Sequence, residues 1–161
     1  MKKLLVIMVL CLGVMGANAQ SISMSDLTNL STINLTDGNN FLTSGKPFKQ
    51  EYTEQSPDGF LLHHYAGTTP ASMPESVIIG DGNKTKSDRV LHTVIYKSTN
   101  TKYLLTLVGE AQSAELKKNF QGADQFNNIY IFDNFLYSVH VFIKTDNTGG
   151  FVKVEQKDFV E

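Results

Sequence analysis

"FLYSVHVFIKTDNTGGFVKVEQ", residues 135–156, decides the fold class. Val139, Val141 and Ile143 alternate with Ser138, His140 and Phe142. After the Asp/Asn/Gly-rich run 145–150, Val152 and Val154 alternate with Lys153 and Glu155. A period of two marks strands with one buried face, and a short turn between two such runs marks an antiparallel hairpin. With 145–150 as the loop, Lys144 opposes Phe151, Ile143 opposes Val152, Val141 opposes Val154 and His140 opposes Glu155. The Val and Ile positions then share one face, and His140 with Glu155 forms a cross-strand charge pair on the other.

Working outward, "NNIYIFDN" (127–134) is a further strand. "PFKQEYTEQ" (47–55) and "FLLHHYA" (60–66) flank "SPDG", where Pro57, Asp58 and Gly59 suit a tight turn, so a second hairpin is expected. "SVIIG" (76–80) is a short strand and "DGNKTKSD" (81–88) a polar loop. "RVLHTVIYK" (89–97) and "KYLLTLVG" (102–109) are rich in β-branched, aromatic and leucine side chains, and read as a hairpin closed by "STNT". "AQSAELKKNFQG" (111–122) reads as the principal helix, capped by Ser113, with Leu116 and Phe120 on one face and Gly122 as its stop. The expected fold is a single α+β domain with a mainly antiparallel sheet of six to eight strands and one or two short helices. No repeat of 20–50 residues recurs, which excludes a solenoid.

The chain begins "MKKLLVIMVLCLGVMGANAQ". Lys2 and Lys3, the apolar run 4–14 and Ala17-Asn18-Ala19 have the arrangement of a bacterial-type signal peptide over residues 1–19. The run is shorter than the roughly 20 residues that span a bilayer. Cys11, the one cysteine, lies inside it after Leu10, so neither a lipid anchor nor thiol chemistry is expected after cleavage. Cleavage would leave 142 of the 161 residues, with 12 basic against 16 acidic side chains and a net charge of −4. These charges are interspersed. No nucleic-acid stripe is present, and no membrane insertion is expected after cleavage. Residues 20–47 form a polar segment with Leu27, Leu30 and Leu35 as anchors, in which Ser25 is placed to cap a short helix. Residues 48–161 carry the α+β domain.

Chemistry-bearing motifs are few. His63 and His64 are adjacent, and in a regular strand they point to opposite faces, so they do not chelate one ion together. His92 shares a face with Val90, Val94 and Tyr96. The hairpin register would set it against Tyr103, Leu105 and Leu107 as a core histidine. "GNNFLTSGKP" has neither the spacing of a phosphate loop nor the hydroxyl after its lysine. "DGNKTKSD" has Lys86 where a calcium loop needs glycine and His92 where it needs glutamate. No G-x-S-x-G occurs. No catalytic residue, metal ligand or cofactor is assigned. The expectation is an exported, periplasmic or secreted binding protein with a protein partner, His63, His64 and Tyr65 being the candidate contact residues. A small hydrolase using His63 or His64 with His92 is the alternative.

Overall fold

The computed structural model describes residues 21–68, 74–80, 82 and 91–158. The expected signal peptide, Cys11 and most of the 81–90 loop lie outside the described residues. Helix α1 (Met24–Leu30) starts at a capping box. The Ser23 hydroxyl accepts from the Asp26 backbone N–H, and the Asp26 carboxylate accepts from the Ser23 N–H. The cap is thus Ser23, two residues before the expected Ser25. Met24, Leu27 and Leu30 fall on its buried face. Helix α2 (Leu35–Asn40), capped by Asn34, runs into a π-helical turn, Phe41–Gly45. Lys46 then reaches back to Asp26 at 2.6 Å and pins the turn to α1.

Four strands follow: β1 (Phe48–Gln55), β2 (Leu61–Gly67), β3 (Glu75–Gly80) and β4 (Thr93–Ser98). Helix α3 (Thr101–Ser113) comes next, and then β5 (Lys117–Ala123), β6 (Asn127–Asp133), β7 (Tyr137–Lys144) and β8 (Gly150–Gln156). All eight strands form one antiparallel sheet in the order β1-β2-β3-β4-β8-β7-β6-β5. The fold is α+β with a mainly antiparallel sheet, as the sequence indicated.

Three local readings are corrected. Residues 102–109 are helix, not strand. Leu104, Leu107, Val108 and Ala111 recur at helical spacing and are buried, and the Asn100 side chain accepts from the Lys102 N–H at 3.1 Å to start the helix. The expected partner of β4 is therefore absent, and β4 pairs with β3 and β8 instead. Residues 111–122 are not one helix: α3 ends at Ser113, Glu115 takes φ 58°, and the chain enters β5. In the last hairpin, Gly150 belongs to the strand and opposes Ile143, so His140 opposes Lys153 and Ser138 opposes Glu155. Asn147 (φ 59°) and Gly149 (φ 106°) close a tighter loop than the one expected. The register moves by two residues, so every side chain keeps its face.

The helices lie on one face of the sheet. Tyr65, Val77, Ile79, Val94, Tyr96, Phe132, Val139, Val141, Val152 and Val154 all point towards them and form the core with Leu27, Leu30, Leu104 and Leu107. The chain repeats itself: helix then four strands, twice. The strand order is symmetric about the β4–β8 seam, as a two-fold axis normal to the sheet would make it. The registers equate Tyr65 with Phe132, Val77 with Val139, Ile79 with Val141, Val94 with Val152 and Tyr96 with Val154, all buried. Even the β-bulges correspond. One precedes Tyr52 in β1 and the other precedes Phe120 in β5.

Candidate functional site

Among the described residues, no element packs on the second face of the sheet. The pairing lays this face out as three rows crossing all eight strands. The middle row runs Tyr52, His64, Ile78, Ile95, Lys153, His140, Ile131, Phe120. One flank holds Glu54, Leu62, Gly80, Thr93, Glu155, Ser138, Asp133 and Lys117. The other holds Lys49, Ala66, Ser76, Lys97, Phe151, Phe142, Ile129 and Gly122. An aromatic ring stands at each end of the middle row, Tyr52 at 50% exposure and Phe120 at 48%. Phe142 and Phe151 stack with ring centroids 4.6 Å apart. An uncovered sheet face normally alternates to polar residues. Here isoleucines and aromatics recur across it.

The two edges are guarded. Both bulges fall in edge strands, and β1 and β5 carry Lys49, Glu51 and Glu54, and Lys117 and Lys118. Bulges and charges are the usual means of blocking strand addition. The surface left open for contact is the face, not the edge.

The three candidate contact residues do not form one surface. His64 stands on the uncovered face, where its ring stacks on Tyr52 (centroids 4.2 Å apart) and its Nε2 meets Glu54 Oε1 at 2.9 Å. His63 turns to the helix-covered side, with Nδ1 3.3 Å from the Thr53 hydroxyl and 3.5 Å from Gln50 Nε2. Tyr65, at 1% exposure, is a core residue. His92 precedes β4 on the covered side, and its carbonyl accepts from the Gln156 N–H. Ile79 and Val94 continue the row of His63 before His92 is reached. His140 shares the open face with His64, but lies four strands away, about 19 Å at ~4.8 Å per strand. Its Nε2 contacts the Ser138 hydroxyl at 3.0 Å. No group of three His, Cys, Asp or Glu side chains suited to a metal occurs among the described residues. No described helix is long and apolar enough to cross a membrane.

One buried acid lies beneath the sheet's end. Glu75 accepts from the Ser21 hydroxyl and sits beside Tyr96 and Ser98 on the covered side. Burial pushes the Glu75 carboxyl up, partly offset by Tyr96. Burial, and then the charge of Glu75, push the Tyr96 phenol up strongly. This cluster joins the segment before α1 to β3, and Glu75 and Ser98 border the second of the depressions described next.

Depressions mark the surface of the described residues. One of about 680 Å³ lies between α1 and α3, where Glu110 Oε2 accepts the Met24 N–H at 2.7 Å. Another, about 460 Å³, opens at the margin of the uncovered face beside Ala66, Ser76, Lys97 and Phe151. The sequence does not reveal the open-face row, because "KYLLTLVG" reads as a strand and leaves the number of layers undefined. Tyr52, Ile95, Ile131, Phe142 and Phe151 are the residues so hidden. Comparison with known proteins found no matching family model, curated protein or solved structure.

Proposed function

We propose that this is an exported, soluble, non-catalytic binding protein of the bacterial envelope, such as an inhibitor, an immunity-type protein or an accessory subunit. Its working surface is the uncovered face of the sheet. The observation that carries this reading is the recurrence of isoleucine and aromatic side chains (Tyr52, Ile78, Ile95, Ile131, Phe120, Phe142 and Phe151) among the polar ones on a face with no described element over it. Monomers rarely expose a contiguous apolar patch beyond a few hundred Å² without using it. His64, held by Tyr52 and Glu54, is the contact residue retained from the sequence.

Capture from envelope extract tests the reading, with wild type, Phe142→Glu and Lys102→Glu as baits. Phe142 is on the open face and Lys102 on exposed α3. A partner held by wild type and Lys102→Glu but lost with Phe142→Glu supports the assignment. Equal capture by all three refutes it, and so does capture of nothing by any, a second copy of this chain included.

A further inference from the structure

The uncovered face is not evenly textured, and its texture specifies an occupant. In the flanking row that holds Lys97, the β2 and β3 positions, Ala66 and Ser76, are small, with Lys97 between them and the seam. In β8, β7 and β6 the corresponding flank is large: Phe151, Phe142 and Ile129. The depression of about 460 Å³ lies at this margin, with Ala66, Ser76 and Lys97 on one side of the seam and Phe151 on the other. Ser76 in β3 and Phe142 in β7 are thus a small and a large position in one row, equally far from the β4–β8 seam on opposite sides.

From this arrangement we infer that the face is closed by a second copy of the same chain. This inference rests on the open face being the docking surface. The two copies stack face to face about a two-fold axis parallel to the strands at the seam. That operation lays β3 over β7 and β4 over β8 of the partner copy, and keeps each row over the same row. Ser76 then receives Phe142 of the other copy, Lys97 covers the ring of Phe151, and Ile78 meets His140. No pair of like charges meets: Glu155 faces Thr93, Lys153 faces Ile95, Asp133 faces Leu62 and Glu54 faces Lys117. A two-fold axis running across the strands instead would set Lys153 on Lys153.

The size fits. Eight strands spaced about 4.8 Å apart and three outward rows about 7 Å apart give a face of roughly 38 by 20 Å. Two such faces bury on the order of 1,500 Å² together, within the range of roughly 1,200–2,000 Å² for specific interfaces. Sheets stacked this way pack aligned at about −30°, which leaves the register best preserved at the central strands. Ser76 and Phe142 sit there, so they carry the test.

The experiment is a knob-and-socket exchange. The full chain is expressed, the exported protein purified, and its mass followed by light scattering and sedimentation over a wide concentration range. Wild type, Ser76→Phe, Phe142→Ser and the double variant are compared, with thermal melts as a check of folding. All substitutions lie on the uncovered face, outside the core. Each single variant is expected to weaken the dimer about tenfold or more, as loss of one well-seated side chain at an interface centre does. The double variant restores it to within about threefold, because the socket and knob have changed places. A wild type that stays monomeric at high concentration overturns the dimer. If that monomer still captures an envelope partner through Phe142, the docking surface survives and only its occupant is wrong. A dimer indifferent to all three variants overturns the face-to-face arrangement, and together with capture insensitive to Phe142→Glu it overturns the docking surface as well.

Discussion

Phe132 and Phe142 are a matched pair with which to test the two-faced sheet. Both lie in central stretches of adjacent strands, β6 and β7, and both become alanine. Phe132 is fully buried, flanked in its row by Val139 and packed in the core under α3. A phenylalanine buries on the order of 150–250 Å², and at about 25 cal/mol per Å² that is roughly 4–6 kcal/mol as an upper bound. Truncation also leaves a cavity, and buried Phe→Ala changes cost about 3–5 kcal/mol. Phe142 points the other way, is only partly buried, and has its ring contact with Phe151 as its main packing. Such a pair contributes about 0.5–1.5 kcal/mol beyond area. The expected cost of Phe142→Ala is therefore about 1–2 kcal/mol in the isolated chain. Urea denaturation under dilute, monomeric conditions measures both. At a slope of about 2 kcal/mol per M, the midpoint should fall about 2 M for Phe132→Ala and less than about 1 M for Phe142→Ala. Equal losses would refute the assignment of faces.

Three other outcomes follow from charge and processing. Glu75 has a folded pKa above its unfolded value, so its contribution to stability is fully present below about pH 4.5 and is lost as pH rises through the folded pKa; Glu75→Gln should stabilise the protein at neutral pH, a gain that fades on acidification in pH-dependent melts. Asp26 behaves oppositely. Burial pushes its carboxyl up, but Lys46 and the Ser23 cap more than offset this and hold it below the usual range, so its contribution is present above about pH 4 and lost on acidification below it; Asp26→Asn should cost about 1–2 kcal/mol at neutral pH, read by chemical denaturation, and the difference should shrink in acid. Mass spectrometry of protein recovered from the envelope should find a chain beginning at Gln20, and an intact Met1 terminus there would refute export by cleavage.

The strands were legible wherever one face is buried and the other is not, because alternation then survives in the residues. Tyr137 to Lys144 and Gly150 to Gln156 are of this kind, whereas β2 is marked by the turn "SPDG" before it rather than by alternation. Alternation fails to distinguish a helix whose exposed side also carries apolar groups. In α3, Tyr103 and the half-exposed Leu105 flank the buried Leu104, and the run "YLLTLV" imitates a strand. Read as a strand, α3 gives β4 a false neighbour and pushes the expected helix into β5. The duplication escaped for a different reason. Its halves share buried positions but few identical residues, and the spacing between equivalents shrinks along the chain, from Tyr52–Phe120 to Tyr96–Val154, so no fixed period fits both ends.

The candidate surface was half legible for the same physical reason. Alternation alone separates His63 from His64 and denies them a common ion, and the structure places them on opposite faces accordingly. What alternation does not supply is which face the helices cover. That choice is made by the core: Val77, Ile79, Val94, Tyr96, Val152 and Val154 offer a nearly unbroken apolar field to Leu27, Leu104 and Leu107, and the other face is left with a mixed one. The two halves then diverge only where they are free to. On the covered side, equivalent positions stay apolar, as in Val77 and Val139. On the open side, Ile78 is matched by His140, Ile95 by Lys153 and Ala66 by Asp133. Packing against a shared helical layer constrains the first set in both halves. The second set is free of that layer, and there the two halves differ in size and charge, as Ile95 and Lys153 do.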